Sequence, residues 1–293
     1  MKLSIFVSLC LFVINAQAIE KIIYGDESRV VIQEILNPNV LEISNSIAAM
    51  IPKNMTLSKN GVTYSYAPSL KKSMNLCPEE KFSKLPSAAY CTGFLVGDKY
   101  LVTAGHCITN QTMCDNVKWV FNYKQKTSIN DVLIFDDKNV YNCKKVIKAV
   151  FNEKTLNDYS VIELERKVIG RSPVKLSTKN QVSLYTEVYT LGHPSGLPLI
   201  FTGEGFIVKQ NSVYFTAAID TFGGNSGSPV FDSETNTVLG ILVRGGKDYV
   251  LDKKNKCFRV NQCQYGDGNC RGEQISHIAP VAKIVKKLNE TRN

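Results

Sequence analysis

Nine short runs of β-branched and aromatic residues, set apart by Gly, Asn, Asp and Lys clusters, constrain this chain more than any other feature. They are Cys91 to Val96, Tyr100 to Ala104, Val117 to Tyr123, Val146 to Phe151, Ser160 to Leu164, Glu187 to Leu191, Glu204 to Val208, Ser212 to Ala217 and Val238 to Val243. Extended backbone turns successive side chains to opposite faces, so short runs with turn formers between them predict an all-β sandwich or barrel. One helical pattern stands out near the end. Pro280 opens a segment with apolar residues at Val281, Ile284, Val285 and Leu288, the spacing of a single helix face, which is expected to pack on the last barrel. Arg166 to Lys179, polar with a central Pro173, reads as a linker between two halves.

The chain has 293 residues, 44% of them apolar, enough for a buried core. It opens with Met1-Lys2, an apolar run from Leu3 to Ile14 and then Ala16-Gln17-Ala18, the pattern of a signal peptide over residues 1–18. Secretion is therefore expected, to the exterior or to the periplasm of a Gram-negative host. The run falls short of the roughly 20 apolar residues a spanning helix needs, so no stable membrane anchor is expected.

Without Cys10, eight cysteines remain: Cys77, Cys91, Cys107, Cys114, Cys143, Cys257, Cys263 and Cys270. An even number in an exported chain fits disulfides. No C-x2-C pair exists and the whole chain has three histidines, so no metal site is expected. The formal charge of +9, or +8 without Lys2, is carried by scattered basic pairs and not by a run interleaved with aromatics. That pattern argues against a nucleic-acid partner.

Thr221 to Val230 reads Thr-Phe-Gly-Gly-Asn-Ser-Gly-Ser-Pro-Val. Small residues around Ser226 let the backbone turn tightly, so that a carbonyl can approach the N–H groups of Gly224 and Ser226 as in an oxyanion hole. His106 follows the apolar run Leu101 to Ala104 and precedes Cys107, which can be bridged to Cys91. Asp158 heads the alternating segment Asp158 to Leu164, where a desolvated acid can accept a proton from a histidine Nδ1 and favour the imidazolium. The order His, Asp, Ser differs from that of subtilisins and of α/β-hydrolases, and Ser228 breaks the G-x-S-x-G elbow.

Cys91-Thr92-Gly93-Phe94, Thr103 to Cys107, Asn157 to Ser160 and Gly223 to Val230 together resemble the signature blocks of the trypsin-like, chymotrypsin-fold serine peptidases. The form Gly-Gly-Asn-Ser-Gly-Ser-Pro-Val is similar to the bacterial V8-like, or glutamyl endopeptidase, branch. Ile23 to Arg29 resembles the segment that opens many of those proteins.

The resemblance implies two antiparallel six-stranded β-barrels with a C-terminal helix. On this reading 19–84 lead into a first barrel over 85–165, the linker is 166–179, the second barrel is 180–279 and the helix 280–293. It implies a monomeric endopeptidase acting on proteins or peptides without a cofactor, with His106, Asp158 and Ser226 as triad. A catalytically inactive homologue acting as a secreted binding protein is the alternative.

Asn225 stands where zymogen-activated members carry an aspartate, so the usual activation salt bridge is not expected. Leu242 stands where glutamyl endopeptidases place a histidine, which argues against glutamate specificity. Asp220, six residues before Ser226, has the offset of the acid that binds a substrate Arg or Lys, with Arg244 and Gly245 as further substrate-binding candidates.

Overall fold

The computed structural model describes residues 23–24, 27–263 and 272–290; the expected signal peptide, 1–18, lies outside the described residues. Six strands close the first barrel: β1 (Ile47–Pro52), β2 (Cys91–Leu95), β3 (Tyr100–Thr103), β4 (Val117–Phe121), β5 (Val140–Phe151) and β6 (Asp158–Leu164). They follow one another around it in the order β5-β6-β3-β2-β1-β4, and β4 pairs with β5 to close the ring. The second barrel comprises β7 (Glu187–Gly192), β8 (Ile200–Gln210), β9 (Tyr214–Ala218), β10 (Pro229–Asp232), β11 (Val238–Arg244) and β12 (Glu273–His277). Its order is β7-β10-β11-β12-β9-β8, closed by β7 on β8, and all these pairings are antiparallel. Closure removes the free edges that an open sheet would expose.

The first barrel begins at Ile47 and not at residue 85. The preceding segment is part of the second barrel's sheet, because the strand Arg29–Val31 pairs with β8 through Arg29–Thr202, Val30–Phe201 and Val31–Ile200. Strands Thr56–Lys59, Val62–Tyr66 and Val132–Asp136 form a separate three-stranded sheet. Trp119, Phe94, Phe121 and Leu101 fill the first barrel, while Val188, Ile207, Phe215 and Ile275 fill the second.

The C-terminal helix, α1 (Ala279–Glu290), buries Val281 and Val285, with Ile284 and Leu288 packed alongside. These residues join the apolar cluster that runs through both barrels and includes Leu95, Val96, Val238 and Ile241, and Asn289 of the helix lies beside Gly97, between β2 and β3 of the first barrel. Each buried valine contributes roughly 1.5–3 kcal/mol, without which a helix of this length is marginal in water. No helix among the described residues is long and apolar enough to cross a membrane.

Three disulfides join Cys77 to Cys257, Cys91 to Cys107 and Cys114 to Cys143. Cys270 and the side chain of Cys263 lie outside what the structure describes.

Candidate active site

The turn after β3, Ala104 to Cys107, carries His106 and is tied by the Cys91–Cys107 bridge to the head of β2. Asp158, the first residue of β6, is fully buried. Its carboxylate meets His106 twice: the main-chain N–H donates to Oδ1 at 3.0 Å, and Nδ1 lies 2.8 Å from Oδ2. An accepting Oδ2 keeps the proton of the neutral ring on Nδ1 and leaves Nε2 as a base. A ring nitrogen of His106 and the Sγ atoms of Cys91 and Cys107 are close enough to suggest a metal site, but the two sulfurs are bonded to each other.

Ser226 approaches this turn from the second barrel. Its carbonyl accepts the Thr92 N–H at 2.8 Å and lies 3.7 Å from Cys107 Sγ, so the serine stands beside the bridge that anchors the His106 turn. Thr92 couples the barrels further: its hydroxyl donates to Gly224 O and accepts the His193 N–H, each at 3.0 Å. Reverse turns flank the serine, with Asn225 N–H on Phe222 O at 3.0 Å and Ser228 N–H on Asn225 O at 2.8 Å. The side chain of Asn225, buried and 3.4 Å from the Ser228 hydroxyl, is occupied locally.

Gly224 has φ +92°, and a Cβ there would lie 2.5 Å from His193 O. Ser195 N–H donates to Gly223 O. Because a trans peptide points its C=O and N–H in opposite directions, that bond turns the Gly224 N–H away from Ser195. Among the described residues, neither the Gly224 nor the Ser226 N–H has a protein acceptor. The pair is therefore available to an incoming carbonyl oxygen.

A recess of about 130 Å³ adjoins Ser226, with Arg244, Gly245, Asp248 and Glu273 among its walls. Asp220 does not line it. Its buried Oδ2 accepts the N–H and the hydroxyl of Ser28, at 3.0 and 2.8 Å, away from the walls of that recess. Arg244 does line the recess, but its guanidinium points to the triad side, with Nη2 3.3 Å from Asp158 Oδ2 and Nη1 3.5 Å from Leu156 O. Gly245 lies against Glu273, whose Oε2 is 2.0 Å from where a Cβ would sit.

The segment that braces the nucleophile turn from behind lacked an obvious sequence signal beyond the resemblance at Ile23 to Arg29. Arg29, buried to 1%, pairs with both Glu27 oxygens at 2.6 and 2.8 Å and stacks 3.7 Å over Phe222. Together with Ser28 on Asp220, it fixes the residues just upstream of Ser226.

His193, flanked by Gly192 and Pro194 in sequence, is 1% exposed. It stacks on Tyr123 at 5.4 Å between centroids, and Nδ1 donates to Leu197 O at 2.9 Å. Burial pushes its pKa from 6.5 down to about 4, against the opposite pull of that hydrogen bond. The folded state then binds fewer protons than the unfolded chain between those values. Its contribution to stability is complete above pH 6.5 and is lost as pH falls to about 4, roughly 3 kcal/mol in all. His193→Phe, which keeps the ring stack, is expected to gain about that much on the wild type between pH 7 and pH 4 in urea denaturation. A difference that does not change with pH would rule out a buried neutral imidazole.

Over 185 residues the chain is 25% identical to a secreted RxLR effector protein, number 73, of Plasmopara viticola, covering 56% of this chain and 43% of that protein. Over 158 residues it is 28% identical to the glutamyl endopeptidase of Bacillus licheniformis, covering 51% and 48%. The chain thus matches less than half the length of either relative. The solved structure of the Vibrio cholerae VesB protease superposes with a TM-score of 0.53 at 15% identity, over 84% of this chain and 64% of that one, a likeness of fold. The model of the trypsin-like peptidase domain matches residues 91–241, from the first cysteine of the His106 bridge to the strand behind Ser226, and by that match the chain belongs to the trypsin-like peptidase family.

Proposed function

We propose that this protein is a secreted serine endopeptidase. The observation that carries the reading is the doubly bonded His106–Asp158 pair, which leaves Nε2 as a base, on a turn whose Cys107 lies against the Ser226 carbonyl. Nε2 of His106 takes the Ser226 proton as Oγ bonds to the peptide carbonyl carbon. The N–H groups of Gly224 and Ser226 hold the oxyanion. His106 then gives that proton to the departing amine as the C–N bond breaks, leaving an acyl-enzyme. Water adds to the ester by the same route and frees the acid and Ser226.

Three disulfides fit an oxidising compartment, which supports export. Two acids in the recess beside Ser226 favour a basic residue before the scissile bond. The chain is proposed to act as a monomer on protein or peptide substrates.

The test is labelling by a fluorophosphonate, together with digestion of a peptide library, for the oxidised exported chain and its Ser226→Ala variant. Labelling and cleavage that both require Ser226 are expected. A folded, disulfide-bonded chain that neither labels nor cuts would instead favour a binding homologue.

A further inference from the structure

Glu273 opens β12 beside Ala217 of β9 and Gln274 lies opposite Arg244 of β11, a register that sets the Glu273 carboxyl in the wall of the recess next to Ser226. The side chain is buried to 2%. Oε2 accepts the Thr221 hydroxyl at 2.6 Å, whereas Oε1 is buried with no hydrogen-bond partner among the described residues. Burial raises its pKa to about 8, with Asp248 and Asp220 adding to the rise and the Thr221 bond and Gly246 amide opposing it. A buried polar oxygen left open is costly and calls for an explanation, among them a water or a cation that completes it.

Asp248 is the second acid of the recess. Its Oδ2 accepts the Gly223 N–H at 2.6 Å, and burial raises its pKa to about 6. Two carboxyls facing one small cavity select a cation. Arg244 lines the same recess but is directed at Asp158, and Arg29, which draws the Asp248 pKa down, is paired with Glu27. Leu242 and Phe222 line the same recess and suit an alkyl stem. A guanidinium binds best with its fork on both oxygens of one carboxylate, and Thr221 already occupies one oxygen of Glu273. An ammonium needs a single strong acceptor and fits the oxygen that is left.

On the endopeptidase reading above, we propose that Glu273 receives the ammonium of a substrate lysine, and that this protein cuts after Lys in preference to Arg. Glu273, and not Asp220, is then the residue that sets specificity.

Fluorogenic peptides that differ only in the residue before the scissile bond (Lys, Arg, Glu or Ala) test this with the wild type and Glu273→Gln. The wild type is expected to favour Lys over Arg by roughly tenfold, the effect of one unmade charged hydrogen bond. In Glu273→Gln the ratio of kcat/KM for Lys to that for Ala should fall about 10³-fold, as when one partner of a buried ion pair is removed. Independently of activity, n-butylammonium chloride at pH 8.5 should raise the Tm of the wild type above that in equimolar sodium chloride, and should not raise that of Glu273→Gln.

Arg cleaved as well as Lys, a preference for Glu or Ala, or an unchanged Lys-to-Ala ratio in Glu273→Gln would overturn the proposal while leaving a labelled Ser226 and the endopeptidase intact. If Ser226 does not label, the endopeptidase reading fails. The cation site then stands or falls on the n-butylammonium shift.

Discussion

Asp158→Asn is expected to lower kcat/KM about 10⁴-fold with little change in fold. Asp158 Oδ2 faces the Nδ1 of His106 at 2.8 Å and a guanidinium nitrogen of Arg244 at 3.3 Å, both donors. An amide has one acceptor oxygen, and it is held to Oδ1's place by the His106 main-chain N–H at 3.0 Å. The NH₂ group then points at Nδ1, which can accept its hydrogen only by giving up its own. The imidazole proton moves to Nε2, and the base that should take the Ser226 proton becomes a donor. The half-exposed Arg244 keeps its bond to Leu156 O and part of its solvent, so the loss in stability is the smaller effect. Steady-state kinetics with thermal denaturation of the same preparation checks both halves. A variant within tenfold of wild type would mean that Asp158 does not set the His106 tautomer.

The three residues proposed as a triad stood out because each sits in a short local pattern. His106 ends an apolar strand beside a cysteine, Asp158 heads an alternating one, and Ser226 lies among residues small enough for consecutive turns. Strand β1 was illegible for a physical reason. Ile47 to Ile51 is buried on both faces, so it shows no alternation, and its two alanines have little preference for strand. Starting the first barrel at residue 85 followed from that silence.

Asp220 shows a different limit. Asp220 has the offset of a specificity residue and is buried as that role requires, but Ser28 reaches it from almost two hundred residues upstream. Glu273 enters the recess through the pairing of β12 with β9 and β11, which no local pattern encodes. His193 shows the same limit: it precedes the tight turn Pro194–Gly196, a local pattern that suggests exposure, yet Tyr123, which follows a first-barrel strand, covers the ring. Local pattern finds groups that carry chemistry, whereas their occupants and partners depend on long-range register.

Gly227→Ala is expected to cost about 3 kcal/mol of stability and to slow catalysis about 10²-fold. Gly227 has φ +89°, and an added Cβ would stand 2.1 Å from Thr92 O and 2.2 Å from the Thr103 hydroxyl. Those atoms belong to β2 and β3, the strands that lead to the His106 turn, and Thr103 already donates to Thr92 O at 2.7 Å. The methyl group therefore has no flexible side chain to displace, and the nucleophile turn must withdraw from the first barrel. Withdrawal stretches the Thr92 N–H to Ser226 O bond and moves Oγ away from His106, so kcat should fall more than KM rises. Gly170→Ala separates collision from backbone strain: φ there is +72°, with nothing within 4 Å of the new Cβ. That variant should lose only about 1 kcal/mol and none of its activity. Urea midpoints and kcat measured on both variants decide the matter, since equal losses at the two positions would mean that the barrels do not hold Ser226 against His106 through Gly227.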